Sequence, residues 1–224
     1  MNAPNTTAIA NAIKAIQAGM PSQLLGFSST PIAASPSPQA VTPASMLGIS
    51  VGQQLSVDVT NPEIVTVTAV TGSTFSAVFL KNHGINGVQW TIGIGAPLYT
   101  LVKVGAVTDP TDVVAFCAIT FDQGATKRYA SGWRVDDRPV FLIESGFDMS
   151  DSTIAEQAVM TARDVLIPIY LAQISLNATP GVYITLLPQP DKAAYKVYPQ
   201  GRIYRVHHLM VQAAAQYNIA VAAI

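Results

Sequence analysis

The sequence predicts an α+β fold, and three observations lead there. Short segments with apolar residues at alternate positions recur along the chain, separated by Gly, Pro, Asn, Asp and Ser. Helical spacing of apolar residues occurs in only two places, residues 9–20 and 154–169. Strands outnumber helices and do not alternate with them, which excludes a doubly wound α/β sheet. The expected architecture is an antiparallel β meander with one long helix packed on the sheet and an N-terminal helix, plus an inserted small all-β module.

The N-terminal helix is predicted from Ile9, Ile13, Ile16 and Met20, with Asn11, Lys14 and Gln17 on the opposite side. Asn5, Thr6 or Thr7 can cap it, and Gly19 with Pro21 ends it. Residues 28–43 carry Pro31, Pro36, Pro38 and Pro43 and read as an extended connector, because proline removes ladder donors. Leu55, Val57 and Val59 alternate with polar residues, and Asn61-Pro62 turns the chain. Residues 64–70 form a β-branched strand, Thr71-Gly72-Ser73 a turn, and Phe75, Ala77 and Phe79 one face of the next strand. A further strand is expected at 88–92, among glycines.

A second β set begins with the apolar strand 113–121. A turn at Gly124, a more polar strand at 127–135, a turn at Asp136-Asp137 and a return strand at 139–147 follow. Thr153-Ile154-Ala155-Glu156 fits a capping box, with Ile154, Ala158, Val165 and Ile169 as the buried stripe of the helix. Pro168 predicts a kink or break there. After Thr179-Pro180-Gly181 come strands 182–187, 195–198 and 203–211, with a hairpin turn at Pro199-Gln200-Gly201. The expected domains are therefore a core of residues 1–36 and 106–224 and an inserted β-barrel or sandwich-like module, with its linkers, at 37–105.

Composition narrows function by exclusion. The chain has 224 residues and 50% hydrophobic content, but only 11% charged residues, against roughly 25% in an average domain. Twelve Lys+Arg against thirteen Asp+Glu give a net charge of −1. That balance opposes a nucleic-acid-binding face or a polybasic membrane binder. Residues 15–57 contain no charged side chain. So sparse a surface charge points to a surface covered by other subunits. No twenty-residue apolar span and no secretory leader is read from the sequence, so the expected site of synthesis is a cytoplasm.

No catalytic signature appears, and the sequence assigns no catalytic, cofactor-binding or metal residues and no cofactor. Gly93-Ile94-Gly95 starts like a dinucleotide loop but lacks the last glycine. His207 and His208 are adjacent in a strand and point to opposite faces, and His83 falls in a loop. Asp136-Asp137-Arg138 reads as a solvated turn. Asp148, Asp151 and Glu156 gather at a helix start, where negative charge meets the dipole, with Ca²⁺ ligation as the alternative. Cys117 reads as a small buried hydrophobe. Trp90 and Trp133 read as packing residues, with sugar stacking as the alternative.

The order of elements carries a resemblance. Helix 9–20, strand 113–121, hairpin strand 129–135 and return strand 139–147 end in Asp148-Met149-Ser150-Asp151. A helix centred on Ala162-Arg163-Asp164-Val165-Leu166 and a closing hairpin at 195–211 follow. This order resembles the tail terminator and tail-completion (neck) proteins of long-tailed bacteriophages, over roughly 70% of the chain. Residues 41–52 and 65–75 look like a small β module found in phage virion proteins. The resemblance implies a non-enzymatic structural protein of the virion that acts in viral tail assembly and head–tail joining. It would form a homo-oligomer, a closed hexameric ring, at the end of the tail tube. The implied partners are copies of itself, the tail tube protein and head–tail connector or neck proteins, with no membrane and no sequence-specific nucleic acid. The implied location is the tail or neck of the virion, assembled in the host cytoplasm. The alternatives are another neck or head-completion component, a carbohydrate-binding or adhesin module built on Trp90, or an enzyme relying on Asp136 or His207.

Overall fold

A computed structural model describes residues 6–85, 87–110, 113–128, 134–172, 182–187 and 194–218. The fold is α+β, with two helices and two mostly antiparallel sheets among these residues. The chain divides into two compact units, one of Met1–Lys14 with Tyr99–Ile224 and one of Ala15–Leu98. The sequence reading placed its boundaries instead at 37 and 105. Helix α1 (Thr6–Ala18) contributes to both units, and the apolar residues at helical spacing, Ile9, Ile13 and Ile16, are buried.

The unit Ala15–Leu98 is all β beyond the end of α1. Its strands are β1 (Pro21–Ser28), β2 (Ser35–Val41), β3 (Gln54–Val57), β4 (Glu63–Val70), β5 (Phe75–Phe79) and β6 (Trp90–Pro97), ordered β1-β6-β3-β4-β5-β2. The first and last strands of that order meet at one end. Ser28 bridges Pro43, and the Ala44 amide donates to the Phe27 carbonyl at 2.7 Å. The inward positions form one core that includes Leu55, Val57, Phe75, Phe79, Trp90 and Ile92. Residues 35–41 correct the expected connector: they are a strand. β2 occupies an end of the order, where a missing proline donor costs no central ladder bond. Its register with β5 is irregular between Ser35 and Gln39, across Pro36 and Pro38.

The other unit holds β7 (Leu101–Val104), β8 (Ala115–Arg128), β9 (Arg134–Asp148), α2 (Ser152–Ala172), β10 (Val182–Leu187), β11 (Ala194–Val197) and β12 (Ile203–Asn218). The order is β10-β12-β9-β8-β7, with β11 also on β12. β7, which the sequence reading left out, runs parallel to β8. Three expected strands are in fact two longer ones. Gly124 pairs with Pro139 inside the β8–β9 ladder, and Asp136 and Asp137 pair with Lys127 and Thr126, so neither site is a turn. An irregularity between Phe121 and Gln123 breaks the alternation and makes the sequence look interrupted there. The expected turn at Thr179-Pro180-Gly181 lies outside the described residues.

Helix α2 packs against β9, β10 and β12. The Arg205 Nε lies 2.6 Å from Glu156 Oε1, so α2 covers the face that also carries Leu209, Val211 and Ala213. The buried helix positions are Ala155, Val159, Ala162, Val165, Leu166, Ile169 and Tyr170. Val165 and Ile169 fall as expected. Ile154 does not: it is 63% exposed, and Ala158 is only half-buried. The helix continues through Pro168.

The helix start also differs from the capping box. Asp151, not Thr153, is the cap: its Oδ1 accepts from the Thr153 amide at 2.9 Å and the Ile154 amide at 3.1 Å. Asp151→Ala is expected to cost about 1 kcal/mol, as for other N-caps, while Thr153→Ala changes stability by less than about 0.5 kcal/mol. Urea midpoints of the two variants check this, and the reverse order would restore the capping box.

Candidate functional site

Two charged clusters stand out, one in each unit. In the β unit, His83 lies in the loop after β5, and its backbone pairs in both directions with Ile32. Its Nδ1 is 3.0 Å from Asp58 Oδ2, and its Nε2 is 2.8 Å from Glu63 Oε2. The side chain is wholly buried, with its ring 5.7 Å from Phe79 and 5.5 Å from Trp90, centroid to centroid. Asp58 follows β3 with φ of 54°, a left-handed conformation that Asp tolerates better than most residues. That geometry turns Asp58 Oδ1 onto the Thr60 amide and hydroxyl, at 3.0 and 2.5 Å. Glu63 Oε1 accepts from the Leu80 amide at 2.7 Å.

Burial pushes the His83 pKa down, but hydrogen bonds to Asp58 and Glu63 outweigh it, and the net shift is upward. Burial pushes Asp58 up, and its bonds to His83 and Thr60 outweigh that, so it is held below the usual carboxylate value. Both ring nitrogens are engaged by carboxylates, so neither can serve as a base toward a substrate. The loop placement of His83 is as expected, but its burial and its partners were not. Asp58 and Glu63 lie 25 and 20 positions away, too far for any local motif to announce them.

In the other unit, Glu144 on β9 collects donors on the face opposite Arg205. Lys196 Nζ donates to its Oε1 at 2.6 Å, and His208 Nε2 lies 3.1 Å from its Oε2. The Tyr198 hydroxyl is 3.4 Å from Oε1. Burial raises the Glu144 pKa, but the bonds from His208 and Lys196 prevail and hold it low. Burial lowers the Lys196 pKa, and the bond to Glu144 reverses that. His207 and His208 do occupy opposite faces, as the strand period requires: His207 is buried opposite Ser145 in the ladder, while His208 bonds to Glu144. Ser145 Oγ in turn lies 2.7 Å from the Tyr99 hydroxyl, and both are buried.

The remaining candidates are dispersed. Asp148 accepts from the Ser150 amide, Asp151 caps α2, and Glu156 pairs with Arg205, so these acids do not converge. Among the described residues no group of three His, Cys, Asp or Glu is placed to hold a metal ion. Gly93 and Gly95 lie within β6, with no helix start after them. Cys117 is buried, and desolvation pushes its thiol pKa far up. Trp90 is 1% exposed, and its Nε1 donates to the Thr30 carbonyl at 2.9 Å, so it offers no stacking platform. The side chains of Trp133 and Asp136 lie outside the described ones. An apolar groove of about 300 Å³ is lined by Thr6, Ala10, Val104, Ile119, Phe121 and Phe141. No helix among the described residues is long and apolar enough to cross a membrane. The sequence matches no protein-family model and no curated protein.

Proposed function

We propose that the protein is a structural, non-enzymatic component of a tailed-bacteriophage virion, a tail terminator that forms a ring at the neck and joins the tail tube to the head. The observation that carries this reading is the order of elements in the unit containing α2. A leading helix, the paired strands β8 and β9, a helix directly after Asp151 and the paired strands β11 and β12 occur in that order, with β7 ahead of β8 and β10 between α2 and β11, and this partial likeness to the terminator order supports the reading. Two features of the surface support an assembled state. Charge is scarce. Large apolar side chains stand exposed on this unit, among them Val114, Phe121, Ile154, Met160 and Leu171, each 57–67% exposed. Residues 37–105 are read as the inserted virion module.

A ring held by apolar and uncharged polar contacts is expected to survive high salt, because salt screens ion pairs but leaves apolar burial intact or slightly strengthened. Mass measurement at low and high salt should return a closed cyclic oligomer of six copies in both, formed without nucleotide, metal or reductant. A strict monomer in both, with no ring on purified tails, sinks the reading.

A further inference from the structure

We propose that Asp58, His83 and Glu63 form a proton-dependent latch that holds the β unit closed over Trp90 and opens when the imidazole loses its second proton. The geometry requires the proton. A neutral imidazole has one N–H, and two ionised carboxylates offer only acceptors. His83 meets a carboxylate oxygen at each nitrogen, so both contacts are hydrogen bonds only in the imidazolium form. Loss of that proton leaves one buried carboxylate facing a nitrogen lone pair, which is repulsive in a site closed to water.

The latch joins separate segments. Asp58 follows β3, Glu63 opens β4, and His83 sits after β5 and pairs through its backbone with Ile32. Glu63 Oε2 also receives the Lys81 amide at 3.3 Å, and the Lys81 ammonium is turned to the Pro62 carbonyl at 2.6 Å. β5 and β6 bring the rings of Phe79 and Trp90 against His83, Thr91 of β6 accepts from the Asp58 amide through its carbonyl, and the Ile32 segment pairs with the His83 backbone. The backbone at Gly84, next to His83, approaches Trp90 closely. A Cβ at Gly84, whose φ is +62°, would lie 2.7 Å from Trp90 Cδ1.

The sign of the pH dependence follows from which charge state is favoured. His83 is shifted up from 6.5, so its contribution is complete below that value and is lost as pH rises through the folded-state value. Asp58 is shifted down from 3.8, so its contribution is present above that value and is lost as pH falls through the folded-state value. The closed state is therefore most stable between the two ordinary values.

Ring nitrogen NMR of the full, unsubstituted chain reads the protonation of His83 directly. The expected result is a ring that stays doubly protonated as pH rises past its ordinary value of 6.5. In a Trp133→Phe background, Trp90 emission should move to the red in the same step in which His83 deprotonates. Glu63→Gln keeps an acceptor oxygen but removes the charge, and should lower both midpoints together by about one pH unit or more. A His83 ring that loses its second proton at or below the ordinary value of 6.5, emission that ignores the His83 titration, or unchanged midpoints in Glu63→Gln would each overturn the latch.

Discussion

Trp90→Ala is expected to destabilise the β unit by about 3–5 kcal/mol, the cost typical of deleting a large buried aromatic. The indole is 1% exposed, packs edge-on to Phe79 at 6.1 Å and lies against the His83 ring. Its removal strands the Thr30 carbonyl, which accepts from Nε1 at 2.9 Å. The neighbours cannot easily collapse into the space, because His83 is held at both nitrogens. Denaturation followed by far-UV circular dichroism measures the loss, and a glycan-binding screen run beside it separates two roles for the same residue. A surface platform would lose binding and keep its stability. An unchanged midpoint would therefore remove Trp90 from the core and revive the carbohydrate-binding alternative.

The strands legible in the sequence are those whose two faces differ and whose ends carry turn residues. Residues 75–79 and 182–187 are strands β5 and β10 with the expected bounds, and residues 64–70 miss β4 by one position. In β5 the alternation is complete, with Phe75, Ala77 and Phe79 fully buried and Ser76 and Val78 between them partly exposed. β1 and β2 escaped because proline and serine argue locally against strand, while pairing partners far along the chain decide the outcome. The helix stripe was misjudged for a different reason. The expected stripe opened on Ile154 and Ala158, yet the first half of the helix buries Ala155, Val159 and Ala162, one position further on. Positions one apart on a helix differ by about 100° around its axis, so a stripe anchored on the exposed Ile154 starts on the wrong face.

The charged clusters were the least legible part. Asp58, Glu63 and His83 are ordinary turn and loop residues until the β ladder brings them together. Glu144 and Lys196 are 52 positions apart, and only the pairing of β9 and β11 with β12 places them within 2.6 Å. Long-range contacts of this kind leave no periodicity behind. Cys117 and Trp90 were legible as packing residues because each sits at an apolar position of a strand, and each is buried. Expectations drawn from composition reach further in a different way. Scarce charge bears on what the surface does, not on how the chain folds, and so it supports the assembly proposal without specifying a site.

Gly146→Val is expected to cost about 3 kcal/mol, although valine is the better strand former and glycine in a strand normally costs about 0.5–1 kcal/mol. The reversal of sign comes from one contact. A Cβ at Gly146 would meet Cε1 and Cζ of the Phe116 ring, well inside van der Waals separation. That ring is fully buried and has nowhere to go. Tyr204 lies 5.3 Å away and Tyr198 6.0 Å away, centroid to centroid. The Tyr204 hydroxyl is in turn held by the carbonyls of Val113 at 2.6 Å and Pro110 at 3.0 Å. Phe116→Ala alone should cost about 3–5 kcal/mol by leaving a cavity. In the double variant the valine methyls enter the space the ring vacates, so the two losses should fall short of their sum by at least about 1 kcal/mol. Urea denaturation of the four proteins closes the cycle. Strict additivity would mean that the strand relaxes away from Phe116, and that the glycine at 146 is not there to admit the ring.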